Sequence, residues 1–229
     1  MGGGTGYNIE CFHRYVDVAT IFSDVYLIDL TPSLCEEAQK RFDRLGWRNV
    51  HVDCADAATW QVPARHRGPS SKVMLITFSY SLSMMPLPTV YQVVDLVPQR
   101  LAPGGILGIV DFLAEDARTF SYSLPLEGDS QSSYKSSTRY IFYFARLFWQ
   151  WWFELDGVHL HPCRRDYVLH MMNRSPGVFR ILEIVNGRNK WAGIPFIQIP
   201  YYILVGVATI QEAKVENIEA DFIPISGYS

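Results

Sequence analysis

The chain has 229 residues, of which 48% are hydrophobic and 19% are charged, with a formal net charge of −3. This length fits one globular domain over residues 1–229, and this composition excludes a chain that is disordered throughout. The small negative charge provides no general field that attracts phosphates, so we expect no nucleic-acid partner.

The cysteines and the apolar segments indicate the compartment. The four cysteines show neither a CxxC pair nor the regular spacing of a zinc site or a disulfide framework. No signal-like start and no uninterrupted apolar run of membrane-spanning length is visible. We therefore expect a reducing, cytoplasmic location and no membrane-spanning segment.

The first elements combine a glycine-rich turn with a strand that ends in an acid. Residues 2–6 read GGGTG, which predicts a turn where backbone approaches a ligand, followed by a helix from Tyr7. The run VYLIDL at 25–30 predicts a strand. A helix follows it, capped by Thr31, opened by Pro32 and ended by Gly46.

Strand-like runs continue in the same rhythm, at 49–53, 72–78 and 105–112. Strands that alternate with helices predict a parallel sheet with crossover helices, the doubly wound α/β class. Two further runs, FRILEIVNGRNKW and PYYILVGVATI, predict an antiparallel edge that closes the sheet.

Residues 113–176 do not show the alternation of strands and helices, and we interpret them as an insertion. Within it, YIFYFARLFWQWWFEL at 140–155 places nine aromatics in sixteen positions, too many for one stripe of an exposed helix. This helical segment is either an interfacial, acyl-chain-binding element or a buried lid or oligomer interface.

Polar residues at successive strand ends predict a nucleoside site, because ligands bind at the carboxyl ends of strands in open α/β sheets. Asp29 is suited to accept hydrogen bonds from ribose hydroxyls. Asp56 is suited either to the adenine amino group, beside the Ala57 amide, or to capping a helix. Together with Ser79 and Tyr80 near the reactive end, they favour S-adenosylmethionine over a dinucleotide. The candidate cofactor-binding residues are Gly2, Gly3, Gly4, Thr5, Gly6, Asp29, Leu30, Asp56, Ala57, Ser79 and Tyr80.

Several motifs resemble the methyltransferase half of betaine lipid synthases: GGGTGYNIE, LIDLTPSLCEEAQKRF, FSYSLSMMP, LAPGGILGIVDF and DGVHLHPCRRDY. The resemblance runs from Gly2 to about Gly206. It implies a Rossmann-like, S-adenosylmethionine-dependent methyltransferase that N-methylates diacylglyceryl homoserine, with peripheral contact to the endoplasmic reticulum membrane.

In that family a central strand precedes the glycine motif, whereas this sequence starts at Met1 and Gly2. The first central strand is therefore expected to be missing. The resulting gap would be filled by another segment, an oligomer partner or a companion chain.

The segment DGVHLHPCRRDY predicts either a polar substrate wall or an ion-paired surface helix that begins after Pro162. In the first interpretation, arginines hold a substrate carboxylate by paired hydrogen bonds. The same two interpretations, substrate contact or surface position, apply to three later polar residues: Asn186, Arg188 and Asn189. No third ligand joins the two histidines, so no metal is expected. The candidate substrate-binding residues are Trp152, His159, His161, Arg164 and Arg165.

Methyl transfer from a sulfonium to an amine requires alignment of the reactants and a deprotonated amine. The candidate proton acceptors are Tyr80, His159 and Asp111. Tyr80 or Trp152 could also stabilise a quaternary ammonium product through its aromatic face. Two alternatives stay open: methylation of a soluble small molecule, and a truncated, non-catalytic methyltransferase-like partner.

Overall fold

The computed structural model describes residues 1–63, 72–113, 151, 155, 158, 161, 163–173, 179–190 and 198–209, without the side chains of 188–190 and 198. Most of the aromatic segment 140–155 lies outside these residues. The helices are α1 Tyr7–His13, α2 Val18–Ile21, α3 Pro32–Leu45, α4 Leu87–Arg100 and α5 Cys163–Asn173. The strands are β1 Val25–Asp29, β2 Val50–Cys54, β3 Val73–Ser79, β4 Leu101–Phe112, β5 Phe179–Lys190 and β6 Gln198–Ala208.

The strands form two groups rather than one continuous sheet. β1 pairs with β2 in parallel, and a second sheet has the order β3–β4–β6–β5. β3 and β4 are parallel, whereas β6 runs antiparallel to both β4 and β5. This arrangement confirms the predicted parallel sheet with an antiparallel edge. Among the described residues, β1 and β3 belong to different sheets.

Helix α3 begins and ends where its sequence predicts. Pro32 occupies the first turn, and Gly46 ends the helix in a left-handed conformation with its N–H bonded to the Asp43 carbonyl. Thr31 occupies the N-cap position, as predicted, but its side chain makes no capping bond. Instead the Thr31 amide donates to Asp29 Oδ1 at 2.9 Å, which ties the start of α3 to the end of β1.

Two apolar clusters pack on opposite faces of β1, because successive strand residues point to opposite sides. Leu27 packs with Ala38 and Phe42 of α3. Its neighbour Ile28 belongs to the larger cluster, which includes the β3 residues Ile76 and Phe78. The core is therefore continuous across the gap between the two sheets, although their backbone ladders are not.

Substitution of Gly6 should destabilise the fold more than a matched substitution of Gly46. Both have φ near +70°, which costs an alanine about 1–2 kcal/mol. A Cβ on Gly6 would lie 2.5 Å from Phe42 Cζ, whereas a Cβ on Gly46 meets nothing within 4 Å. We expect Gly6→Ala to lower the free energy of unfolding by about 1–3 kcal/mol more than Gly46→Ala, since it overpacks the core. Equal losses in urea melts would contradict this packing.

Candidate functional site

The glycine turn is held against the end of β1 by Asp29. Asp29 Oδ2 accepts the Gly4 amide at 2.8 Å, and Oδ1 accepts the Thr31 amide at 2.9 Å. A carboxylate has about four acceptor positions, so Asp29 retains capacity for further donors such as the two hydroxyls of a ribose. A Cβ built on Gly4 meets nothing within 4 Å, so its backbone borders open space. These residues fit a nucleoside ligand.

One hydrogen bond connects the end of β3 to α1, and a second holds the glycine turn against β1. Asn8 Nδ2 donates to Ser79 Oγ at 3.0 Å, and Gly3 N donates to the Ile28 carbonyl at 3.1 Å. The glycine turn, Asp29 and Ser79 therefore lie close together at the carboxyl ends of β1 and β3, and we call the space next to them the cleft. Asn8 had no signal in the sequence, because a lone amide in a first helical turn matches no motif.

The turn after β2 starts beside this cleft, since Ala55 N donates to the Asp29 carbonyl at 2.9 Å. Asp56 is exposed, and its Oδ1 accepts the Ala58 amide at 2.8 Å. This bond is the capping role that the sequence offered as one interpretation. The predicted adenine contacts of Asp56 and of the buried Ala57 amide stay predictions. Leu30 is also exposed, 72% of its surface being accessible.

Arg100 holds the turn after β2 by hydrogen bonds to its carbonyl groups. The sequence did not indicate this role of Arg100. Its Nη1 donates to the Ala57 carbonyl at 2.7 Å and its Nη2 to the Trp60 carbonyl at 2.6 Å. Burial lowers the pKa of Arg100 from its ordinary value. The half-buried guanidinium therefore acts as a clamp on this turn, and its position at the last residue of α4 explains why no local pattern revealed it.

Tyr80 follows β3 in a strained conformation. Its φ is 51°, in the left-handed region that costs non-glycine residues of order 1–3 kcal/mol, and such strain is concentrated at functional sites. The half-buried ring lies 4.7 Å from the Phe112 ring between centroids. Burial, followed by the charges of Tyr201 and Asp111, raises the pKa of the phenol. The phenol is accordingly neutral near physiological pH.

Asp111 of β4 lies near Tyr80, and only 1% of its surface is exposed. Its Oδ2 accepts the Ser83 amide at 2.9 Å and its Oδ1 the Phe112 amide at 2.7 Å. Burial raises the pKa of the carboxyl, while these hydrogen bonds lower it. In this arrangement Asp111 holds the turn after β3, and its role as a proton acceptor stays a prediction.

Helix α5 places Arg164 near this buried carboxyl and the next residue, Arg165, near the Tyr202 ring. Arg164 is 6% exposed and donates through Nη1 to the Leu82 carbonyl. Burial lowers the pKa of Arg164, and the charge of Asp111 raises it. The interpretation of α5 as a surface helix is therefore wrong for Arg164. Arg165 is half-buried, with its guanidinium 6.0 Å from the centroid of the buried Tyr202 ring.

The other predicted substrate residues are distributed differently. His161 is exposed, and its Nδ1 accepts the Cys163 amide at 3.3 Å, so it lies at the start of α5. This helix begins after Pro162, as predicted. Trp152 and His159 lie outside the described residues, as do the side chains of Arg188 and Asn189. Asn186 is exposed on β5.

The described ranges contain neither a metal-binding cluster nor a membrane-spanning helix. Among these residues no group of three or more histidine, cysteine or acidic side chains could hold a metal ion. No helix in the described part of the chain is long and apolar enough to cross a membrane.

Cys35 and Cys54 lie beside Asp29 and should differ in reactivity. Burial, together with a hydrogen bond to Cys54, raises the pKa of Cys35 to about 11, whereas Cys54 is exposed. Because the thiolate is the nucleophile, iodoacetamide at mildly alkaline pH should alkylate Cys54 well before Cys35. Peptide mapping by mass spectrometry measures both rates, and unfolding in guanidinium should equalise them. Equal rates in the folded protein would contradict the burial of Cys35.

The comparisons with known proteins agree with this geometry. Residues 1–105 match a family model described as a methyltransferase domain. The cyclase SpnF is 16% identical, with 91% of this chain and 74% of that chain covered and a TM-score of 0.56. YcgJ from Bacillus subtilis is 12% identical, with coverages of 91% and 90% and a TM-score of 0.55. A methyltransferase from Methanosarcina mazei, described as SAM-dependent, is 13% identical, with coverages of 92% and 91% and a TM-score of 0.55.

No curated protein matches this sequence. Structural likeness at such low identity shows the fold, which is the Rossmann-like α/β fold of the S-adenosylmethionine-dependent methyltransferases. Together with the family match over residues 1–105, it indicates a methyltransferase and supports S-adenosyl-L-methionine as its cofactor. SpnF is described as a [4+2]-cyclase, so the fold alone does not specify the reaction.

Proposed function

We propose that this chain is an N-methyltransferase that acts on the amine of a lipid-linked homoserine headgroup, as in betaine lipid synthesis. The observation that carries the proposal is the common cleft bordered by the glycine turn, Asp29 and Ser79. A carboxylate-bearing acceptor is supported by Arg164, which bonds the turn after Tyr80, and by Arg165, which follows it on α5 near Tyr202. The choice of diacylglyceryl homoserine as the lipid rests on the sequence resemblance to betaine lipid synthases.

The cofactor part of the proposal rests on the residues around Asp29. When bound, S-adenosylmethionine supplies an electrophilic methyl group. The remaining acceptor positions of Asp29 would take its ribose hydroxyls, and the open backbone at Gly4 would border its methionine portion. The turn at Asp56, clamped by Arg100, would border the adenine.

The acceptor part rests on α5 and on the turn after β3. Arg165 would hold the headgroup carboxylate by paired hydrogen bonds, with Arg164 and Asp111 fixing the backbone on which Tyr80 sits. Tyr80 or His159 would orient the amine; His159 would receive its proton, or the neutral Tyr80 phenol would relay it. The Tyr80 ring, or Trp152, would then face the positive charge that develops on nitrogen.

The acceptor lipid implies contact with a membrane surface. We propose a cytoplasmic protein that associates peripherally with the endoplasmic reticulum membrane through the aromatic segment 140–155. Tryptophan and tyrosine favour the headgroup boundary, which suits this composition.

The reaction can be tested with labelled S-adenosylmethionine and a set of acceptors. The proposal predicts that diacylglyceryl homoserine in vesicles gains one to three methyl units by mass spectrometry, and that free homoserine does not. Methylation of soluble amines alone would favour a small-molecule methyltransferase. Binding of the cofactor without any product would favour a non-catalytic partner, and both outcomes would contradict the proposal.

Replacement of Tyr80 by phenylalanine should lower kcat by about 100-fold, the smaller end of what a group positioned for proton transfer contributes. The ring contact with Phe112 is kept, so the free energy of unfolding should change little. Tyr15→Phe is a matched control, because Tyr15 is 87% exposed. Unchanged turnover in Tyr80→Phe would remove this residue from the mechanism.

A further inference from the structure

Two cysteines lie together where β2 ends and α3 begins. Val52 and Cys54 point to the same face of β2, because side chains alternate along a strand, and Val52 packs in the cluster on the α3 side. Cys35 lies in α3, near its start, and is buried. The fold therefore brings into one place two thiols that belong to different elements of the sequence.

Hydrogen bonds to consecutive carbonyl groups fix the positions of both sulfurs. Cys35 Sγ donates to the Asp29 carbonyl at 3.5 Å, and Cys54 Sγ donates to the Leu30 carbonyl at 3.8 Å. The two thiols also lie within hydrogen-bonding distance of each other. A disulfide requires the sulfurs to approach to about 2 Å. Because Cys54 is exposed, its side chain can rotate to make this approach.

The surroundings of the two thiols differ in a way that divides their roles. Cys54 is exposed, so it meets oxidants dissolved in the solvent. Cys35 is buried, and burial raises its pKa to about 11, so it stays a thiol near neutral pH. Redox-sensing sites combine an accessible cysteine that is oxidised first with a neighbouring cysteine that resolves the product. Cys54 suits the first role and Cys35 the second.

We infer that Cys54 and Cys35 form a reversible disulfide when the protein meets hydrogen peroxide, and that this bond ties the end of β2 to the start of α3. The Cys54 thiolate attacks one peroxide oxygen, the O–O bond breaks, and the other oxygen leaves as hydroxide, which takes up the proton that Cys54 released. Cys54 is then a sulfenic acid, its sulfur oxidised by two electrons. The Cys35 sulfur attacks the Cys54 sulfur, the S–O bond breaks, and the departing hydroxide takes the Cys35 proton. Two thiols and one peroxide thus give one disulfide and two waters.

The position of this disulfide suits a reversible modification rather than a permanent cross-link. Cys54 is exposed, so a thiol reductant can attack its sulfur and reopen the bond. Disulfides in a reducing compartment are usually transient and sense the redox state. The bond would lie beside the Asp29 carbonyl, next to the carboxylate that holds the glycine turn. Oxidation would therefore place a removable covalent tie beside the cleft.

Peroxide treatment of the reduced full chain tests this inference. After an equimolar amount of hydrogen peroxide, mass spectrometry without reductant should find a peptide that links Cys35 to Cys54 within one chain. Dithiothreitol should restore both thiols. Cys163 is the matched control, because it is also exposed but lies on α5, which packs against α4 and β5. It should form no disulfide within the chain.

Dimedone, which captures sulfenic acids, separates the two steps of the reaction. In the unmodified chain, Cys35 should consume the Cys54 sulfenic acid before dimedone does. Cys35→Ala should therefore raise dimedone labelling of Cys54 at least about tenfold and leave labelling of Cys163 unchanged. Cys54→Ser changes an exposed position, so it provides a second variant that should keep its fold, and in it Cys35 should stay reduced.

Three results would overturn the inference. The first is equal dimedone labelling of Cys54 with and without the Cys35 thiol. The second is a disulfide that joins two chains, or that includes Cys163, instead of the Cys35–Cys54 bond. The third is oxidation of Cys35 in Cys54→Ser as extensive as in the unmodified chain, which would mean that peroxide reaches the buried thiol directly. None of these readouts depends on methyl transfer, so failure here is distinguishable from failure of the proposed function.

Discussion

Asp29→Asn should weaken binding of S-adenosylmethionine by about 10- to 100-fold. Asp29 accepts the Gly4 and Thr31 amides through different oxygens, and asparagine can keep only one of these acceptors. A hydrogen bond to a charged group is worth about 1.5–3 kcal/mol, which corresponds to this range of affinity. The same substitution would remove an acceptor for a ribose hydroxyl, so both effects act in the same direction.

Calorimetric titration of the purified protein measures this change. Asp43→Asn is the matched control, since Asp43 is exposed on α3 and its carboxylate accepts a hydrogen bond from the neighbouring Gln39 side chain at 2.8 Å. The control should bind the cofactor like the unmodified protein. Equal affinities for Asp29→Asn and Asp43→Asn would contradict a role for Asp29 at the cofactor.

Arg164→Met should lower the free energy of unfolding by at least about 1.5–3 kcal/mol, the contribution of a charge-assisted hydrogen bond. Methionine fills a similar volume but cannot donate to the Leu82 carbonyl. It also removes the positive charge that interacts with Asp111, a carboxyl whose pKa is already raised by burial. The loss should therefore exceed that of Arg48→Met, which removes an exposed guanidinium.

The pH dependence of this loss separates its two causes. A carboxyl whose pKa is raised in the folded state is protonated in both states at low pH, and it destabilises the fold as pH rises through its folded pKa. Without Arg164 the pKa of Asp111 should rise further. The difference between Arg164→Met and the unmodified protein should thus be smaller in acid than at neutral pH. A difference independent of pH would leave only the lost Leu82 bond.

Local signals predicted much of the fold. Pro32 and Gly46 mark the ends of α3, and the strand runs at 25–30, 72–78 and 179–191 correspond to β1, β3 and β5 within a few residues. These features depend on backbone conformations that single residues favour. The antiparallel edge followed from two strand runs without a helix between them.

Helix α4 had no such signal. Its buried positions, Val90, Val93, Val94 and Val97, have helical spacing, but valine favours strands and Pro98 lies inside the helix. Packing of these valines against the core compensates for the weak propensity. Such long-range compensation is invisible in a local pattern.

The sequence predicted those site residues that lie at the end of a strand. It did not predict the roles of residues that depend on burial in the folded protein. Asp29 and Ser79 follow directly from the end of a strand. The burial of Asp111 and Arg164, and the clamp made by Arg100, depend on contacts between residues far apart in sequence. Desolvation, which sets the pKa shifts of all three, is a property of the packed fold.

A crystal structure of the protein with S-adenosylhomocysteine, the demethylated product of the cofactor, tests the cleft most directly. We expect the ribose hydroxyls to bond Asp29, with the amino-acid portion of the ligand beside Gly4 and its sulfur toward Tyr80. A ligand bound elsewhere, with Asp29 still bonded only to the Gly4 and Thr31 amides, would contradict the assignment of this cleft as the cofactor site.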